Sequence, residues 1–92
     1  MQPVHPGRIL ARELKARALS TSKVALALRV PSGRITDILG GKRGITAETA
    51  LRLAAFFGNE PQYWMNLQSQ YELAVAEQEL GKKIISEVEH AA

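Results

Sequence analysis

Ninety-two residues without a cysteine exclude a disulfide framework, a thiolate zinc site and a cysteine nucleophile, and allow one small domain with a modest core. No apolar run approaches the roughly 20 residues of a membrane span, and the opening Met-Gln-Pro-Val-His-Pro-Gly-Arg lacks the apolar centre of a signal peptide, so the expected compartment is the cytoplasm. The net charge of +3 is unevenly placed: residues 1–58 carry ten Lys/Arg against three acids, a balance of +7, and residues 59–92 carry two Lys against six Glu, a balance of −4.

Pro3 and Pro6 keep the first six residues out of regular structure. His5 has no second ligand nearby and is expected to pack or hydrogen-bond. The first helix is predicted from about Gly7 to Ala18, burying Ile9, Leu10, Leu14 and Ala18 and exposing Arg8, Arg12, Lys15 and Arg17. A second helix is predicted from Thr21 to Leu28, with Ser20 as its N-cap and Val24, Ala25 and Leu28 on its apolar face. Arg29-Val30-Pro31 is a turn, because Pro31 has no N–H to continue a helix and disfavours helical geometry at Val30. Arg29 stands where glycine commonly takes a left-handed turn, at a cost of about 1 kcal/mol. Two readings stay open there: reach of a long cation toward a polyanionic backbone, or simple tolerance.

A third helix is predicted from Ser32 to Leu39. Ile35, Ile38 and Leu39 form its apolar stripe, Arg34, Thr36 and Asp37 point outward, and Gly40-Gly41 ends it. Two short helices, a tight turn and a polar face on the second compose a helix-turn-helix. Together with the basic half, this is the footprint of a DNA reader. Ser32, Arg34, Thr36 and Asp37 are the candidate base readers. Gly33, early on the same helix, either allows close approach of backbone to DNA or weakens readout. Thr21, Ser22 and Lys23 open the preceding helix, whose N–H groups favour a phosphate. Lys42 and Arg43 follow the motif and suit backbone phosphate.

Thr46 caps a fourth helix from Ala47 to Phe57, with Glu48 favouring its positive end and Gly58 closing it. Ile45 is placed to staple onto Ala50. Leu51, Ala54 and Phe57 form the predicted stripe, widened by Leu53 and Phe56. A fifth helix starts at Pro61. Trp64, Leu67, Tyr71 and Val75 follow at helical spacing, mostly as core, but Tyr63, Trp64 and Tyr71 are more aromatic surface than so small a bundle would bury. Part of that face is expected against another chain. The pattern continues through Leu73, Leu80, Ile84 and Val88, interrupted by Gly81. Residues 1–75 thus read as the DNA-binding domain and 76–92 as a helical extension for pairing or partner contact. Small helical chains often gain stability by oligomerising.

No catalytic grouping, phosphate loop, calcium loop or metal-ligand spacing occurs, so neither an enzyme nor a cofactor is expected. Leu19-Ser20, Val24-Ala25, Leu28-x-Val30, Ile35, Ile38-Leu39 and Gly41-Lys42 resemble the lambda-repressor-like (Xre-type) helix-turn-helix family. A narrower likeness is to the HigA (VapI-like) antitoxins. His5-Pro6-Gly7, Val30-Pro31-x-x-Arg34-Ile35, the run from Gly41 to Ala54, Phe57-Gly58 and Trp64-x-x-Leu67-Gln68 carry it, over residues 5 to about 75.

This resemblance implies an all-α, five-helix domain that binds a palindromic operator as a dimer and represses its own operon. It also implies a partner toxin, an mRNA-cleaving endoribonuclease of the HigB (RelE-like) type. A stand-alone Xre-type repressor without a toxin is the alternative. An interaction module that has lost DNA binding is a third reading, which the basic first half opposes.

Overall fold

The computed structural model describes residues 2–91; Met1 and Ala92, the outer ends of the two expected segments, lie outside them. The architecture is all-α: α1 (Pro6–Ala16), α2 (Thr21–Leu28), α3 (Ser32–Leu39), α4 (Ala47–Phe57) and α5 (Pro61–Glu87), with no strand among the described residues. α2, α3 and α4 have the predicted bounds. Ser20 Oγ accepts from the Lys23 amide at 3.1 Å and Thr46 Oγ1 from the Thr49 amide at 3.3 Å, so each cap satisfies a donor the helix cannot.

α1 ends two residues earlier than predicted. Ala18 turns left-handed at φ 53°, and the Leu19 amide reaches back to the Leu14 carbonyl at 2.8 Å while Ala18 N–H reaches Lys15 at 3.2 Å. This is a Schellman closure built without glycine. It exposes Ala18, which was expected inside, and turns Leu19 onto the core instead. α2 closes the same way: Arg29 is left-handed (φ 58°, ψ 46°), Val30 N–H bonds Ala25 at 3.0 Å and Arg29 N–H bonds Leu26 at 3.2 Å.

The core joins Leu10 and Leu14 of α1, Val24, Ala25 and Leu28 of α2, Ile35 and Ile38 of α3, Ile45, then Ala50, Leu53 and Ala54 of α4, and Trp64 of α5. Ile9 is half-buried. The face of α4 differs from the predicted stripe: Leu51 is 60% exposed, because α4 lies between α2 and α5 and turns its small Ala50 and Ala54 toward them. Gly7 brings α1 against α3; a Cβ there would run into the Ile38 carbonyl, so glycine is required by closeness rather than by conformation.

Trp64 corrects the expectation that it faces another chain. It is fully buried in its own core, against Phe57 at 5.7 Å between ring centres. Burial is tolerated because its indole N–H donates to Asn59 Oδ1 at 3.0 Å, leaving no unpaired donor inside. Tyr71 is half-buried against His5, 4.9 Å edge to face.

α5 is one unbroken 27-residue helix, roughly 40 Å long, that runs through residue 75 and through Gly81. Gly81 weakens the helix but does not end it, since one glycine among good helix formers costs only about 1 kcal/mol. Its far half extends past the core, which gives the molecule its 52 × 23 × 22 Å shape. No helix among the described residues is long and apolar enough to cross a membrane.

Candidate DNA-binding surface

The residues singled out for DNA fall on the start of α2, the outer face of α3 and the loop that follows it. Ser22, Lys23, Ser32, Gly33, Thr36, Lys42 and Arg43 are exposed, and Thr21, Arg34 and Asp37 are half-buried. Lys23, Lys42 and Arg43 carry no ion pair among the described residues, so their charge is available to an outside anion. Ile35 and Ile38 are wholly buried and fix how α3 presents its outer side. Thr36 spends its hydroxyl hydrogen on the Ser32 carbonyl at 3.1 Å, which leaves its oxygen and methyl outward. Nothing lies within 4 Å of a Cβ built at Gly33, so the fold itself does not require glycine there.

Two distant residues hold the Lys42–Arg43 loop, and sequence reasoning did not assign either of them to it. Gln68 of α5 accepts from the Ile45 amide through Oε1 at 2.8 Å and lies so close to Gly44 that a Cβ there would meet its amide group. His5 Nδ1 accepts from the Gly7 amide at 2.9 Å, capping α1, and the same ring lies against the backbone of Arg43. Partial burial pushes the His5 pKa below the ordinary 6.5, and the Arg43 contact opposes that only in part. The packing or hydrogen-bonding role expected for His5 is therefore both at once. The loop's backbone is additionally drawn back onto α3, where the Asp37 carbonyl accepts from Lys42 N–H at 2.8 Å and Arg43 N–H at 3.2 Å.

A second network ties α4 to the motif. Glu48 Oε1 accepts from Arg34 at 3.3 Å, and Glu48 Oε2 accepts from Arg52 at 3.2 Å. Arg52 also donates to the Leu28 carbonyl at 3.0 Å, satisfying the last turn of α2. The Glu48–Arg52 pair is legible as an i,i+4 spacing; the Arg34 partner, fourteen residues away, is not.

The residues expected at a protein interface are dispersed. Tyr63 is 42% exposed and leans edge-on against Trp64, 5.2 Å between ring centres. Leu80 and Ile84 are 45% and 47% exposed on the projecting half of α5, and Val88 is 66% exposed at its end. Among the described residues no group of three His, Cys, Asp or Glu side chains is placed to hold a metal ion.

Five helices with a capped α2, a tight turn and an outward-facing α3 define a helix-turn-helix protein of the lambda-repressor-like, Xre type. No protein-family model matches the chain. Virulence-associated protein I of Dichelobacter nodosus is 49% identical over 80 residues, 86% of this chain and 74% of that protein. The structure of an addiction module antidote protein of the HigA family from Coxiella burnetii superposes with TM-score 0.96 at 49% identity, covering 99% of this chain and all of that one. Antitoxin HigA of Pseudomonas aeruginosa, solved with the higBA promoter, superposes with TM-score 0.95 at 42% identity, covering 99% of this chain and 100% of that one. The chain belongs to the HigA family.

Proposed function

We propose that this chain is the antitoxin and autorepressor of a type II toxin–antitoxin pair. It binds operator DNA as a homodimer, represses its own operon and neutralises a HigB/RelE-like mRNA endoribonuclease. The activity is binding rather than catalysis, and its two partners belong to the cytoplasm and nucleoid. The observation that carries the reading is a family member in complex with promoter DNA that matches this chain along almost its whole length. The exposed Lys23, Lys42 and Arg43 around α3, without an ion pair among the described residues, supply the electrostatics such a complex needs.

In this mechanism the outer face of α3 enters the major groove. Arg34 pairs bidentately with guanine, Asp37 accepts from cytosine, and Ser32 and Thr36 hydrogen-bond base edges or meet a thymine methyl. Gly33 keeps that approach free of a side chain. Thr21, Ser22 and Lys23 at the start of α2, with Lys42 and Arg43 beyond α3, fix the register on phosphate. Residues 1–75 carry this work. The second copy and the toxin meet the remainder of α5 and the residue that closes it, through Leu80, Ile84 and Val88, with Tyr63 and Tyr71 nearer the domain. An apolar face on a helix that outruns its core is costly to leave in water. A two-fold dimer would set two α3 helices about 34 Å apart, one turn of DNA.

The test is co-production of the tagged chain with the product of the adjacent short reading frame, and growth of cells making each alone. A stable complex, with the neighbour toxic alone and harmless when paired, supports the antitoxin. No complex and no toxicity would leave a stand-alone repressor.

A further inference from the structure

Arg34 is the one cation on α3, and its side chain is already held. Its Nη1 donates to Glu48 Oε1 at 3.3 Å, and the side chain keeps only 24% of its exposure. The other Glu48 oxygen is gripped from its own helix, by Arg52 Nε and Nη2, both at 3.2 Å. Arg52 is anchored in turn through Nη1 to the Leu28 carbonyl at 3.0 Å. A chain of bonds therefore runs from the end of α2, through α4, to the outward side of α3. An unheld arginine samples many rotamers and loses that freedom on binding. The Glu48 contact has already imposed the restriction; it engages Nη1, and among the described residues nothing bonds the Nε and Nη2 edge that can pair bidentately with guanine.

Glu48 is otherwise out of place. Its side chain is 59% exposed beside a surface that attracts phosphate, where a carboxylate repels the ligand. A role confined to the positive end of α4 would be open to any residue that caps well. We propose that Glu48 is a positioning residue for base readout: it holds Arg34 in its reading orientation, raising selectivity while lowering affinity for DNA of any sequence. This rests on Arg34 being a base reader.

The test uses the full chain and two duplexes, one selected by the wild-type protein from a randomised pool and one of scrambled sequence. Glu48→Gln, with a melting curve to confirm folding, is expected to lower selectivity roughly ten-fold, the order of one bidentate base contact. The loss should fall on the base pairs that Arg34→Ala also stops distinguishing. The scrambled duplex should bind as tightly as before or tighter. In the Arg34→Ala background, Glu48→Gln should cause no further loss. Equal weakening on both duplexes would mark a merely structural residue and overturn the proposal. Retained selectivity in Glu48→Gln, with Arg34→Ala selectivity lost, would overturn positioning and leave Arg34 as a reader. Retained selectivity in Arg34→Ala would overturn both.

Discussion

Arg29→Gly should make the protein more stable. Arg29 closes α2 at φ 58° and ψ 46°, a region where a side chain crowds the following carbonyl. That crowding costs an L-residue about 1–2 kcal/mol. Glycine removes the cost, offset by its greater freedom in the unfolded chain, about 0.4–1 kcal/mol. The guanidinium makes no hydrogen bond or ion pair within the described residues, so nothing else is lost. The net gain is about 1 kcal/mol, or roughly 4–8 °C in Tm for a domain of this size. Urea and thermal unfolding measure it, with an unchanged m-value confirming that the transition is the same. Ala18→Gly, at φ 53° in the equivalent closure of α1, is the uncharged control and should gain a similar amount. Destabilisation in both variants would refute the strain argument. The Arg29 variant also separates the two readings of that residue: a flatter salt dependence of DNA binding marks a phosphate contact, and an unchanged slope marks a tolerant corner.

Trp64→Ala should cost about 3–5 kcal/mol, a large part of the stability of any small domain, and show as a near-complete loss of cooperative unfolding at 37 °C. The depressed pKa of His5 means that the unfolded chain binds its proton first. Stability contributed by the His5 cap is thus present above pH 6.5 and lost as pH falls through the lower folded value. Urea midpoints between pH 7.5 and 5 should fall, and His5→Ser, which keeps a capping oxygen without a proton to gain, should flatten that fall. Lys42→Ala should weaken all DNA sequences alike and reduce the salt slope by about 0.9, measured by titration at several salt concentrations; a sequence-selective loss would make Lys42 a reader.

The parts of the fold legible in the sequence are those with local chemistry. Ser20 and Thr46 begin helices with an oxygen three residues ahead of a free amide, and Pro31 and Gly58 mark turns by what their backbones cannot or can do. The end of α1 was not legible, because Ala18 takes a glycine's conformation without being glycine. Trp64 lies on the predicted core stripe, and only the count of aromatics on so small a bundle pointed part of that face outward; the Asn59 that satisfies its indole lies five residues away. The positions of the candidate DNA residues follow from the motif. Their supports do not, since Glu48 reaches Arg34 across fourteen residues and Gln68 reaches Ile45 across twenty-three. Contacts at that separation depend on how helices pack, which no spacing rule records.

The most direct test of DNA reading by α3 is selection of duplexes from a randomised pool by this chain. The expected result is enrichment of one palindromic site, bound by two chains, with half-sites about one helical turn apart. A pool that stays random, with binding that depends on salt alone, would contradict the account.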